Sequence, residues 1–563
     1  MKDRKKHNVF VSWSTFFWCT LLVVFSSIIF TTLTFFPLRY FYHQEVFHPN
    51  PVLKWRSSEQ KGKNDNSRAT MMVKELVMLP DQALILVNYP PSFHFHSKHD
   101  LQCVYFNGDA SHFTEPPIKV DSNGMNEKIV RCSLHPNVYN ISLIIKPNSV
   151  ISTPNSSIYQ WDPLVYEAIF DRDNTTIVFV KGLNLRPEKV DEPSRFQCIY
   201  GWDFTKNKFL LKSDVISVAQ EIIRCKTPTS ILSGKTHTQA HDMKVSIKME
   251  GKGIFPSIAR PQYSPPKQKA HKMCVCTMLR NQARFMKEWV MYHTRIGVQR
   301  WFIYDNNSED NIDKVIESLQ ESGYNISRYL WPWVKTQEAG FSHCALRASA
   351  TCEWVGFIDV DEFFNVKMKG NLHNVILEYA RAGSYVGEIR TPCYSFGPSG
   401  LKQVPKEGMM VGYTCRLAAR ERHKSIVKPE ALNQTLINVV HHFHLASPFV
   451  TVNVDSGVVM INHYKYQVWE VFKEKFYRRV ATYVADWQQE HNVGSKDRVP
   501  GLGTKAVEPE DWSKRFCEVR DMRLRNWVLR NFRNRRTHLL PWQPEFENHI
   551  RRRRKMRKDK GHL

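Results

Sequence analysis

No charged residue occurs between Val9 and Phe36. A helix that spans a bilayer needs about 20 apolar residues. The apolar core of a cleaved signal peptide runs only about 7 to 15 and ends at a small-residue cleavage site. The length of the uncharged run and the lack of such a site exclude a cleaved leader. Lys2, Arg4, Lys5 and Lys6 precede the run against a single Asp3, and a positive flank stays cytosolic. The expectation is a cytosolic tail over 1–8, a type II single-pass anchor in the lipid bilayer over 9–36, and a lumenal remainder. Residues 37–74 lack any sustained apolar period, which excludes a packed helix or strand and reads as a stem. Acidic residues are scarce: 54 Asp and Glu stand against 79 Lys and Arg, a formal net charge of +25. Between Lys514 and Lys560 the balance is 17 basic to 5 acidic residues. In the cytosol such an excess would suggest nucleic acid. A lumenal segment cannot meet nucleic acid, which leaves acidic glycans or lipid headgroups, with a solvated tail as the plain reading of 551–560.

An oxidising lumen makes the cysteines legible. Of twelve, Cys19 lies in the anchor and eleven remain. One of these must stay free or join two copies of the chain, so a homodimer is open. Six Asn-x-Ser/Thr sequons, at Asn140, Asn155, Asn174, Asn306, Asn325 and Asn433, fit the same compartment. An internal repeat also marks a domain. Leu101-Gln-Cys-Val-Tyr105 followed by Ile129-Val-Arg-Cys132 recurs as Phe196-Gln-Cys-Ile-Tyr200 followed by Ile222-Ile-Arg-Cys225. Each unit reads as two strands joined by a long polar hairpin and stapled by a disulfide, Cys103 to Cys132 and Cys198 to Cys225. This predicts an all-β domain over 75–255. Aromatics follow the first cysteine of each unit, Tyr105 and Phe106, then Tyr200 and Trp202. If exposed, they would suit a glycan-holding face. A Pro-rich basic linker, 256–272, closes the domain.

From Met273 onward strand-like and helix-like segments alternate: 273–279, 282–296, 301–304, 311–322, 328–333, 338–350 and 354–358. Alternation of this kind predicts a mostly parallel α/β sheet with right-handed crossovers. The last strand runs Trp354-Val-Gly-Phe-Ile358 and ends in Asp359-Val-Asp361. Ligands bind such sheets beyond the carboxyl ends of their strands. Two carboxylates one residue apart can share a hard divalent cation, which in turn neutralises a diphosphate. Alternatively, Asp359 simply caps the next element. Asp305 ends another strand in the same way.

These residues carry a resemblance. Cys276-Thr-Met-Leu-Arg-Asn281, Glu288-Trp289, Tyr292-His293, Gly297-Val298, Tyr304-Asp-Asn306 and Phe357-Ile-Asp-Val-Asp-Glu-Phe363 together resemble glycosyltransferase family 92. Within it they are most similar to the plant branch that contains the β-1,4-galactan synthases of pectin. The resemblance implies a GT-A catalytic domain over 273–510, followed by a basic segment over 511–563. It also implies a UDP-sugar donor, a polysaccharide or glycan acceptor and a manganese or magnesium ion. Carried over, it makes Asp361 a metal ligand, while Asp359 shares the metal or meets the ribose. Asp305 would accept from ribose or uracil, and Arg280 and Asn281 would face the diphosphate. His463, in Ile461-Asn-His-Tyr464, matches the third metal ligand, with His441, His442 and His444 as alternatives. Lys424 and Lys428 would reach the diphosphate. Glu388, Glu407 and Asp455 are candidate bases for an inverting transfer, which the sequence does not separate. The run Tyr394 to Gly400 is either an acceptor platform or a loop. The rival to an enzyme is a membrane-tethered glycan-binding or scaffolding protein of the same fold.

Overall fold

The computed structural model describes residues 72–549, apart from 89–100, 107–111, 123–126, 137–139, 146–148, 151–157, 184–188, 205–209, 234–242, 264–267, 368–370, 382, 484–506 and 547. The expected anchor, the stem up to residue 71, Asn155 and the 551–560 tail lie outside the described residues, while residues 72–74 of the expected stem are corrected to the start of strand Met72–Met78, where Val73 packs into the core. Among the described residues no helix is long and apolar enough to cross a membrane.

The amino-terminal half is all β. A five-stranded sheet runs in the order Lys119–Ser122, Glu127–Ser133, Gln82–Asn88, Met72–Met78, Ile158–Gln160. It faces a four-stranded sheet of His112–Glu115, Leu101–Phe106, Asn140–Ile145 and Ser149–Val150. Cys103 belongs to one sheet and Cys132 to the other, and they are disulfide-bonded. The expected hairpin is therefore corrected to a sandwich, because each strand buries one apolar face against the opposite sheet.

The second unit makes the same join differently. Its long strand Leu211–Ala219 pairs with Phe196–Gly201 through residues 211–214 and with Ile222–Lys226 through 215–219. The register breaks between Val215 and Ser217. The sheet folds over at that bulge, and Cys198 meets Cys225. Tyr105 and Tyr200 are fully buried and Phe106 is partly so, while Trp202 is 51% exposed. The glycan-face reading thus fails for both tyrosines, whose rings fill the inter-sheet cores.

In the carboxyl-terminal half the sheet order is Ile326–Leu330, Arg300–Asp305, His271–Leu279, Cys352–Phe357, Arg422–Val427, Val386–Ser395, Val459–His463, Glu362–Val366. The first four strands are parallel, and the fifth enters antiparallel. Helices Ala283–Arg295, Ile312–Glu321 and Gln337–Ala348 connect the parallel strands. Their apolar residues recur at helical spacing, as in Phe285, Trp289, Tyr292 and Ile296, all buried.

Two further disulfides, Cys274–Cys352 and Cys276–Cys344, lie within this layer. A third, Cys415–Cys517, secures the carboxyl-terminal segment. That segment is no separate tail over its described part. Helix Arg523–Phe532 puts Leu524 and Val528 into the core of the α/β layer, and Trp512 and Leu540 are also buried. Among the described residues Cys393 is the free cysteine. It is 2% exposed, so it cannot join two copies of the chain.

The second sandwich is not an independent body. Trp161, Tyr166 and Phe179 share one apolar cluster with Trp331, Trp333, Phe341 and Phe357. Trp161 stacks on Trp333 at 5.5 Å.

Candidate active site

The parallel strands end together: Leu279 pairs with Asp305, Asp305 with Leu330, and Cys276 with Phe357. Asp359-Val-Asp361 leaves the last of them in a tight turn. The Asp359 N–H donates to Glu362 Oε2 at 2.9 Å, and its carbonyl accepts from the Glu362 N–H at 3.0 Å. The chain then reverses into Glu362–Val366, which pairs antiparallel with Val459–His463, setting Glu362 opposite His463. That register brings His463 to the carboxylate pair.

Helix Ala283–Arg295 holds this strand. Trp289 Nε1 donates to the Glu362 carbonyl at 3.0 Å, and the Tyr292 hydroxyl to that of Phe364 at 2.6 Å. The Phe364 N–H donates to His293 Nε2 at 3.4 Å. Glu288 accepts the Met409 and Met410 N–H groups, both at 2.9 Å. The motif residues Glu288, Trp289, Tyr292 and His293 therefore form the frame of the site and not its chemistry.

Two ammonium groups enter the pair. Lys424 Nζ lies 3.3 Å from Asp359 Oδ2 and 2.8 Å from Glu362 Oε1. Lys475, on helix Trp469–Tyr483, contacts Asp361 Oδ2. Two imidazoles complete the group: His441 Nε2 is 3.5 Å from Asp359 Oδ2, and His463 Nε2 is 3.6 Å from Asp361 Oδ2.

Burial works against ionisation of both aspartates. Lys424 and His441 at Asp359, and Lys475 and His463 at Asp361, outweigh it and hold both carboxyls well below their ordinary range. Burial likewise opposes the charge on Lys424, yet Asp359 and Glu362 push its ammonium up. Burial, followed by the Lys424 charge, lowers His441.

Three carboxylates face two ammonium groups, so one negative charge is in excess. His463 Nε2 and His441 Nδ1 are buried without a hydrogen-bond partner, and buried polar nitrogens ordinarily have one. An imidazole nitrogen with unfilled bonding capacity 3.6 Å from the Asp361 carboxylate fits a hard divalent cation of the manganese or magnesium kind, although among the described residues the three ligand atoms that lie within 4.8 Å of one another are those of Glu362, Cys393 and His463. Cys393 Sγ also lies near Glu362 and His463. Burial pushes its thiol well up, and Glu362 is already ion-paired, so the Asp361 side of His463 is the better fit.

The other predicted residues are placed as follows. Asp305 is 2% exposed and its oxygens are in use. Oδ1 accepts from the Ser308 N–H at 3.0 Å, and Oδ2 from Arg328 at 2.9 and 2.6 Å. A ribose cannot displace these buried partners, so the nucleotide role does not fit its side chain. Asn281 accepts from the Glu309 N–H at 2.7 Å and donates its own N–H to Ser308 Oγ, a loop-to-loop tie. Arg280 pairs with Glu309 at 2.9 Å at the rim. Lys428 sits over the Trp354 ring at 5.0 Å, away from Asp359.

Glu388 is fully buried and saturated. It accepts from Ser425, from Thr451 at 2.6 Å and from Arg390 at 3.0 Å. Burial would raise its carboxyl, but the bonds from His442, Arg390, Ser425 and Thr451 bring it down to about 2. No acceptor hydroxyl can reach it. Asp455 caps the turn before Val459–His463 through a 2.5 Å bond from the Gly457 N–H. At about 3.3 Å per residue it stands at the far end of that strand from His463. Glu407 is exposed on a loop, where its carbonyl accepts from Trp542.

His442 bonds Ser425 and His444 is exposed, so neither joins the pair. Phe396 is buried against Tyr464, and Ser399 Oγ accepts from two backbone N–H groups. The run Tyr394 to Gly400 is thus a built loop and not an open platform.

Sequence reasoning missed Lys475 and Glu421. Lys475 lies on the same helix as the predicted apolar stripe, one residue before Phe476, but nothing in its spacing marks it. Glu421, with its side chain 29% exposed, accepts from Lys465 at 3.2 Å, from Tyr466 at 3.2 Å and from Ser395, the strand partner of His463. Burial opposes its ionisation, but the Ser395 bond and Lys465 hold its carboxyl below the ordinary value. A cavity of about 490 Å³ lined by Lys272, Trp301, Tyr324, Asn325 and His373 opens at the opposite, amino-terminal edge of the strands, away from these groups.

The sequence profile of glycosyltransferase family 92 matches residues 269–493. A glycosyltransferase family 92 protein of Ricinus communis is 56% identical over 96% of this chain and 100% of its own length. One of Oryza sativa subsp. japonica is 50% identical over 88% of this chain and 86% of its own. One of Arabidopsis thaliana is 42% identical over 88% of each. Among solved structures, a mannosyltransferase of Pyrobaculum calidifontis in complex with GDP-Man and Mn2+ aligns at a TM-score of 0.20, with 12% identity over 34% of this chain and 59% of its own.

Proposed function

The chain belongs to glycosyltransferase family 92, and from that premise we propose that the Asp359–Asp361 edge transfers a hexose from a UDP-sugar to a cell-wall polysaccharide or other glycan, with inversion. The observation that carries this reading is the buried His463 Nε2, without a hydrogen bond and standing 3.6 Å from the ionised Asp361. Asp361 and His463, with Asp359 beside them, would hold a divalent cation. When bound, that cation neutralises charge on the departing diphosphate.

The protein's own groups do the rest. Lys424 holds Asp359 ionised inside the fold and pairs with Glu362, and the Asp359–Glu362 turn fixes both carboxylates before any ligand arrives. Arg280 stands at the mouth, where a planar guanidinium can meet phosphate oxygens. Glu421 is the carboxylate beside His463 with solvent access, and we assign it the acceptor proton in place of Glu388, Glu407 or Asp455.

Galactose as the transferred sugar rests on the resemblance to the galactan synthases. A type II topology rests on the uncharged run and its basic flank, and the Golgi compartment rests on the resemblance. The deciding experiment is donor hydrolysis by the lumenal protein across a panel of UDP-sugars with manganese. Hydrolysis of one donor, abolished by chelator, is the expected result. Hydrolysis of none, or of one regardless of chelator, overturns the reading.

A further inference from the structure

Arg131, in strand Glu127–Ser133 of the first sandwich, is 1% exposed. A buried guanidinium must find partners or pay heavily in desolvation. Two of its hydrogen-bond partners lie in the other half of the protein. Nη2 donates to the Ser308 carbonyl at 2.8 Å and Nη1 to the Asn307 carbonyl at 3.2 Å, with Gln82 Oε1 at 3.4 Å. Asp121 Oδ2 lies 3.6 Å from Nε. Asp121 continues the chain of charges: its Oδ1 accepts from Arg328 Nη2 at 2.8 Å, and that same nitrogen donates to Asp305 at 2.6 Å. Lys119 Nζ adds a third hold, on the Asp310 carbonyl at 3.1 Å.

The contacts of Arg131 and Lys119 with the other half, and that of Asp121 by way of Arg328, reach one segment, 305–310, at the carboxyl end of the second parallel strand. The same loop is tied to the end of the first strand. Asn281 accepts from the Glu309 N–H, Asp310 Oδ2 accepts from the Ala283 N–H at 2.8 Å, and Arg280 pairs with Glu309. Asn307 adopts φ 62 within it, a left-handed conformation that a free loop does not hold by default. The sandwich grips the loop through buried charge, which is more directional than an apolar contact.

We propose that the first sandwich is a positioning element of the donor site: Arg131, with Asp121 and Lys119, sets the 305–310 loop, and through it Arg280 and Asn281, for a nucleotide diphosphate. This rests on the reading that the carboxyl edge binds the donor. Arg131 touches no substrate on this account and acts only through the loop.

The test uses the whole lumenal protein carrying Arg131→Met, with Lys119→Met as a milder second variant should the first fail to fold. UDP with manganese is titrated calorimetrically, and amide exchange is followed by mass spectrometry. Binding of UDP by the wild type tests the underlying reading separately. The expected result is faster exchange confined to 279–283 and 305–310, UDP affinity lowered about tenfold for Arg131→Met and about threefold for Lys119→Met, and donor KM raised with kcat within about twofold. A purely structural role would lower Tm and leave KM unchanged. Unchanged UDP affinity in a folded variant, with or without faster loop exchange, overturns the proposal.

Discussion

Lys475 and Asp361 form the contact that most shapes the chemistry of the pair, because an ammonium occupies the side of the carboxylate that a cation would need. Lys475→Met should therefore bind manganese more tightly, by about tenfold, as expected from about 1.4 kcal/mol of competing charge in partly exposed surroundings. Titration of the metal alone checks this; unchanged affinity would mean that the lysine swings away at no cost. Asp361→Ala should lose transfer by about a hundredfold or more while Tm holds within a few degrees, since a buried carboxylate facing the leaving group is removed and its partner Lys475, 23% exposed, can turn to solvent. Glu421→Gln should lower kcat for transfer while UDP affinity stays within twofold. An equal loss in UDP affinity would place Glu421 on the donor instead.

Among the elements, strand Val386–Ser395 depends on Glu388, which belongs to the fold and not to the reaction. Its folded carboxyl is depressed from 4.5 to about 2, so the stability it adds is fully present above about pH 4.5 and is lost as pH falls through about 2. At about 1.4 kcal/mol per unit the contribution is about 3 kcal/mol. Glu388→Gln should lower Tm at pH 7 and flatten the acid limb of stability between pH 4.5 and 2, read by denaturant unfolding across that range. The rate per folded molecule should not change.

The strand pairing Glu362–Val366 with Val459–His463 explains why a histidine a hundred residues downstream meets Asp361. A slip of one residue there would turn His463 to the other face of the sheet. Trp289 and Tyr292 guard against that slip through their bonds to Glu362 and Phe364.

Over the whole molecule, the two sandwiches and the α/β layer are interlocked by aromatic packing at Trp161, Tyr166 and Trp333 and by buried charge at Arg131. Excising 75–255 should therefore yield an insoluble remainder, because the cut exposes Trp331, Trp333 and the buried Arg328–Asp305 pair. Soluble, monodisperse expression of residues 256–563 would contradict this. The proposed orientation is checked at this scale too. Protease added to sealed Golgi vesicles should leave the large domain intact, and its degradation there would overturn the type II assignment.

By itself the sequence determined the alternating α/β layer, the two cysteine pairs of the repeat, and the Asp359–Asp361 edge, whereas His463 was implied only by the family resemblance, with His441, His442 and His444 left open. These follow from period, spacing and motif, which are local properties of the chain. Only tertiary structure decided that the repeat forms sandwiches instead of hairpins, that Asp305 and Glu388 are consumed by internal partners, and that Lys475 and Glu421 stand at the site. The physical reason is that burial and partnering depend on residues far apart in the chain. Asp305 is a ready acceptor until Arg328 and Asp121 are packed against it, and a carboxylate's freedom to act is set by the neighbours that the fold brings to it.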